Sequence, residues 1–232
     1  MHTGLRFLFG LLHTRYLKMI ESIVLSARKR KTLFRSIQGK ATFKLGRITC
    51  FVGLNASGKS LMLRFAEYAM REAARTESAG EVQCNFPLMH GGEYKYKAKI
   101  SELAPTLAYT PQQYGRFSNF DKFANYERLM DLTYFRASEA ECAAFYFEDF
   151  IKKNQQALRN PCTLLLDEPE NSNDPYTIQY LMNAIKTWID ANPSMQVLIA
   201  THSLFVLKYA DVVHEMSPNY VQQLKDEYRK LL

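Results

Sequence analysis

Residues 53–60 read GLNASGKS, and this octapeptide constrains the fold more than any other stretch of the chain. It follows ITCFV, an unbroken apolar run of strand length, and it precedes SLMLRFAEYAMREAAR. In that second segment Met62, Phe65, Ala66, Ala69 and Met70 recur at helical spacing on one face. A buried strand, a glycine-bearing loop and an amphipathic helix therefore succeed one another without a break. Gly53 and Gly58 bracket the pattern GxxxxGK[ST], in which backbone N–H groups curl around phosphate oxygens and a helix N-terminus adds partial positive charge. Lys59 is placed to reach the β and γ phosphates and Ser60 to bind Mg²⁺. Asn55, Ala56 and Ser57 supply the loop backbone between the glycines.

Such a loop calls for a second strand that ends in an acid. CTLLLDEPENSND, residues 162–174, supplies one, because an apolar run of that length reads as a strand buried on both faces. Asp167 then offers a carboxylate to the Mg²⁺ shell. Glu168 is the general base for an attacking water, a role typically worth about 10² to 10⁴ in rate. Taken alone, the pair also reads as an acidic turn closed by Pro169. A third strand, MQVLIATHS, delivers His202 to the same sheet edge, where a neutral imidazole can bond a γ-phosphate and sense its loss. The other histidines, His2, His13, His90 and His214, read as solvent-facing or structural. In LAYTPQQYG, the amide of Gln112 can touch both Mg²⁺ and the water; Gln113 competes for that role, and a plain surface glutamine is the alternative to both.

A chain of 232 residues suits one α/β domain with a modest insertion. Strand and helix alternate at both ends around a helical, aromatic stretch at about 112–160, so a mostly parallel sheet with a small helical subdomain is expected. Residues 1–18 read as an N-terminal extension, their apolar Phe7 to Leu12 being followed by Arg15 and Lys18. Residues 19–232 read as the domain itself. The net charge of +7 permits contact with nucleic acid or acidic partners. EYKYKAKI places Lys95, Lys97 and Lys99 on one strand face, and Arg28 to Lys31 form a second basic cluster. A solvated face is the commoner explanation for either. The four cysteines lie far apart with no CxxC, as expected of reduced thiols in a cytoplasmic protein. No apolar segment approaches the roughly 18 residues that span a bilayer.

The motifs in order resemble those of the ATP-binding-cassette ATPases. GLNASGKS is similar to their Walker A and YTPQ to their Q-loop, through Gln112. LLLDE is similar to Walker B through Asp167 and the catalytic Glu168, NSND to the D-loop through Asp174, and THS to the switch histidine through His202. The agreement runs from Ile48 to Leu207. DEPEN looks like the soluble branch that includes SMC, RecF and overcoming-lysogenization-defect ATPases, many of which serve DNA repair or phage defence.

The resemblance implies an α/β P-loop NTPase fold with an ABC-type mixed sheet, ATP and Mg²⁺ as ligands, and hydrolysis that drives a motor or switch. ATP is favoured over GTP because no NKxD-like motif appears. The effector, a nuclease, toxin or similar, is expected on a separate polypeptide. A low-turnover assembly module and a transporter nucleotide-binding subunit are the rival readings. One motif departs from the family: where LSGGQ is expected the chain has ASEAE, with Ser138 at the serine and Glu139 and Ala140 in place of glycines. Ser138 reads equally as a phosphate ligand across a homodimer or heterodimer and as a helix N-cap.

Overall fold

The computed structural model describes residues 19–26, 40–87, 93–109, 139–171 and 175–231, with the backbone alone for 139–148 and 231. The strands are β1 (Ile20–Ser26), β2 (Lys40–Lys44), β3 (Ile48–Val52), β4 (Gly80–Pro87), β5 (Glu93–Ile100), β6 (Thr106–Tyr109), β7 (Cys162–Asp167), β8 (Met195–Thr201) and β9 (Val212–Glu215). The helices are α1 (Lys59–Arg75), α2 (Glu139–Leu158), α3 (Pro175–Ala191), α4 (Leu204–Leu207) and α5 (Tyr220–Leu231). α2 is the described part of the expected helical insertion. The rest of that insertion and residues 1–18 lie outside the described residues.

Two sheets share these strands. A parallel sheet runs in the order β6-β7-β8-β3-β9, and an antiparallel sheet in the order β2-β1-β5-β4. The expected parallel sheet thus carries the loop and the acidic strand, and the N-terminal strands form a sheet of their own. Connection length explains the division, since β4 and β5 are joined only through residues 88–92, whereas parallel neighbours need a crossover of a dozen or more residues.

Burial follows the same logic. β3 and β8 are buried at every position because α1 covers one face of the parallel sheet and α3 the other. β5 instead alternates, with Lys95, Lys97 and Lys99 exposed and Tyr94, Tyr96, Ala98 and Ile100 buried. Its lysine face is partly neutralised, for Lys97 pairs with Glu81 and Lys99 with Glu21. Between the sheets lies α1, whose Met62, Phe65, Ala66, Ala69 and Met70 are all buried. Phe65 stacks on Tyr96 at 4.5 Å between ring centroids, and the Tyr96 hydroxyl donates to the Phe65 carbonyl at 2.6 Å. Cys50, Cys84 and Cys162 are free and buried. Burial pushes the Cys50 thiol up to about 12 and the Cys162 thiol up to about 11, which keeps both protonated and unreactive.

One buried amide ties the sheets together. Gln196 on β8 accepts from the Ile20 N–H at 3.1 Å and donates to the Ile20 carbonyl at 2.9 Å and the Gly46 carbonyl at 3.0 Å. It stands in for the edge of a neighbouring strand. Gln196→Met keeps the volume but strips these bonds from buried backbone, and should cost on the order of 3 kcal/mol in a urea titration. A loss below about 0.5 kcal/mol would mean that these groups find other partners.

Candidate phosphate-binding site

Register brings the three key strands to one level. Val52 on β3 is opposite Thr201 on β8, and Asp167 on β7 is opposite Ala200 on β8. Gly53, Glu168 and His202 therefore leave adjacent strands side by side, at the carboxyl edge where open α/β sheets bind ligands.

The loop between β3 and α1 is built to expose backbone N–H groups. Ala56 has φ 59° and Gly58 φ 101°, and no side chain caps the N-terminus of α1. Its first amides are thus available to a ligand. A Cβ on Gly53 would lie 2.8 Å from Ser57 Oγ and 3.1 Å from the backbone nitrogen of Ser217, so only glycine fits. Ser57 Oγ is buried without a hydrogen-bond partner among the described residues, a polar atom that a phosphate oxygen would satisfy. Ala56 carries left-handed backbone without the freedom of glycine, which costs about 1–2 kcal/mol, against about 0.4–1 kcal/mol of extra unfolded-state entropy for glycine. Ala56→Gly should therefore stabilise the protein by roughly 0.5–1 kcal/mol, read as a raised urea midpoint. A lowered midpoint would refute the strain argument.

Lys59 and Ser60 face the acids. Lys59 is buried, and its Nζ donates to the carbonyls of Gly53 and Leu54 at 3.1 Å each and lies 4.0 Å from Glu168 Oε1. Burial lowers its ammonium from the usual lysine range, with Glu168, Asp167 and Glu170 opposing that shift. Ser60 Oγ donates to Asp167 Oδ1 at 2.8 Å. Burial raises the Asp167 carboxyl and Glu168 adds to the rise, while the Ser60 hydroxyl, Arg64 and Lys59 oppose it. The serine hydroxyl and the carboxylate are hard oxygen donors at one point. Together they fit Mg²⁺, which is commonly held by one or two protein groups along with phosphate oxygens.

Glu168 sits one residue past β7 with φ 50°, an unfavourable conformation for a non-glycine residue. Its N–H donates to the Ala200 carbonyl at 2.8 Å, which anchors the turn to β8. Glu168 Oε1 lies 3.1 Å from His202 Nε2. The structure therefore brings Gly53, Asn55, Ala56, Ser57, Gly58, Lys59, Ser60, Asp167, Glu168 and His202 to one sheet edge. Gln112, Gln113, Ser138 and Asp174 lie outside the described residues.

Three further residues shape the edge without having been singled out in the sequence. Glu170 Oε1 accepts from the Thr201 hydroxyl at 2.7 Å and from the His202 N–H, holding the end of β8. As the third acid of DEPEN it was visible, but nothing in its spacing said that it would turn inward. Ser217 Oγ accepts from the Leu54 N–H at 3.1 Å, and the Tyr220 hydroxyl lies 3.1 Å from His202 Nδ1. Both come from beyond β9, far along the chain, and no sequence pattern marks them. His214 is structural as expected, stacked on Phe51 and bonded to the Lys44 carbonyl at 2.8 Å.

A parallel sheet that feeds a glycine loop into an uncapped helix, with an acid at the end of a nearby strand, defines a P-loop NTPase fold. Within that class the chain is similar to the SMC head domain of Thermotoga maritima, at 15% identity and a TM-score of 0.50, over 85% of this chain and 94% of that one. It is also similar to cbiO1 of Clostridium perfringens, described as part of the ABC transporter complex cbiONQ, at 16% identity and a TM-score of 0.47, over 92% and 95% of the two chains. No protein-family model matches the chain, and no curated protein matches it in sequence. The fold is that of the ABC-type P-loop ATPases, of the SMC-like kind.

Proposed function

We propose that this chain binds and hydrolyses ATP and acts as the motor or switch of a larger complex. The observation that carries this reading is the bond from Ser60 Oγ to Asp167 Oδ1 at 2.8 Å, set beside the contact of Glu168 with His202 at 3.1 Å. One pair suits a cation on phosphate, the other a water and the phosphate it attacks. Lys59, Ser57 and the first amides of α1 bind the phosphates. Mg²⁺, held by Ser60 and Asp167, would neutralise charge on the phosphates. Glu168 uses one carboxylate oxygen to hold His202, which leaves the other to accept a proton from the attacking water. His202 lies where it can bond the γ-phosphate and register its departure. Gln112 and Asp174 are proposed at this site through their motifs, and Ser138 at a partner's nucleotide.

DEPEN points to DNA repair or phage defence as the setting, with a nuclease, toxin or similar protein as effector. No described helix is long and apolar enough to cross a membrane. The ion pairs of Lys97 and Lys99 weaken the case for nucleic acid on β5, and Arg28 to Lys31 lie outside the described residues. A second reading, ATP held with little turnover so that assembly itself is the output, draws on ASEAE in place of LSGGQ.

Phosphate release by the purified chain, measured alone and with proteins that co-purify in ATP, separates the two readings. Hydrolysis supports the first, and ATP-dependent association without hydrolysis supports the second. A folded chain that binds no ATP removes both.

A further inference from the structure

We propose that Tyr220 is a positioning residue, which holds the His202 imidazole as the neutral tautomer with its proton on Nε2, directed at Glu168. The assignment starts from the two ring contacts. Glu168 Oε1 lies 3.1 Å from Nε2, and an ionised carboxylate can only accept. The proton of that contact therefore sits on Nε2. A neutral imidazole with a proton on Nε2 has an acceptor at Nδ1, and the Tyr220 hydroxyl is there at 3.1 Å to donate. Burial raises the Tyr220 phenol, with Glu227 and Glu170 adding to the shift, so the hydroxyl keeps its proton. The chain of donors runs from tyrosine to histidine to glutamate.

The hydroxyl is held in place by the loop that binds phosphate. The Met216 N–H donates to the Val52 carbonyl at 2.6 Å, and the Leu54 N–H donates to Ser217 Oγ at 3.1 Å. Asn219 turns the chain with φ 57°, and α5 opens at Tyr220, which is buried. The Phe205 ring on α4, just after His202, meets the Tyr228 ring on α5 edge-on at 6.5 Å. One end of α5 is thus pinned both to the segment that leaves β3 and to the segment that leaves β8. Without the hydroxyl, Nδ1 would have no donor, and the ring could place its proton on either nitrogen. Glu168, Glu170 and Lys59 are the charged groups around this relay. The two carboxylates also favour an imidazolium, whose Nδ1 would donate to the tyrosine instead, and this is the competing state to be tested.

The consequence for hydrolysis rests on the ATPase reading above, whereas the tautomer does not. Full-length protein with ¹⁵N-labelled histidine rings, without added nucleotide at neutral pH, reports the state of His202 once His202→Gln identifies its signals. The expected wild-type spectrum is that of a proton on Nε2 alone. In Tyr220→Phe the two nitrogen signals should move together toward a mixture of tautomers. Single-turnover ATP hydrolysis should fall roughly 5- to 30-fold, the equivalent of one hydrogen bond at a charged site, with ATP affinity changed by less than about twofold. A wild-type ring protonated on both nitrogens overturns the proposal, and so do His202 signals unmoved by Tyr220→Phe. A shifted tautomer with full hydrolysis shows that Tyr220 does not position His202 for the reaction, and likewise overturns it. The expected tautomer change in a protein that hydrolyses no ATP supports the positioning and refutes the ATPase reading instead.

Discussion

Lys59→Ala should lower ATP affinity by at least about 100-fold, because charge-assisted bonds to phosphate contribute about 1.5–3 kcal/mol each and the lysine is placed to make two. The fold should survive. Lys59 supplies charge rather than packing, and burial already disfavours its ammonium. Its removal leaves the carbonyls of Gly53 and Leu54 without that donor, a modest loss of about 1 kcal/mol. Titration with a fluorescent ATP analogue, alongside a thermal melt, measures both effects. A folded variant that binds like the wild type would remove phosphate binding from this loop.

Glu168→Gln should keep ATP and lose hydrolysis by about 10² to 10⁴. The amide matches the carboxylate in shape, and its oxygen can still accept from His202 Nε2 at the 3.1 Å contact. The turn at φ 50° and its bond to the Ala200 carbonyl belong to the backbone and are untouched. What disappears is the ability to take a proton from water. Wild-type rates in a single-turnover assay would show that the base lies elsewhere.

These two residues illustrate what was legible in the sequence and why. Lys59 and Glu168 each follow an unbroken apolar run, and such a run marks a strand covered on both faces, so the residues after it emerge at a sheet edge. The alternation of β5 was equally plain, since a sheet with one face in water must alternate. β9 was not foreseen: Val212–Glu215 is a short edge strand with alternating burial, too brief to stand out from a loop. Nor was the separate antiparallel sheet, because pairing partners far apart in the chain are chosen by packing rather than by local pattern. Glu170 could be seen as an acid, yet its inward turn toward Thr201 and His202 depends on β8 arriving beside it.

By itself the sequence determined the local units: the strand, loop and helix around GLNASGKS, the acidic end of β7, and His202 at the end of β8. It did so because each depends on neighbours within a few residues, through hydrophobic periodicity and the conformational freedom of glycine. Only the tertiary structure decided that these three strand ends lie adjacent, since that follows from strand order and register across more than a hundred residues of separation. It alone placed Ser217 against the loop and Tyr220 against His202. A hydrogen bond between groups so distant in the chain leaves no periodic trace, because its geometry exists only once the cores on both faces of the parallel sheet have formed.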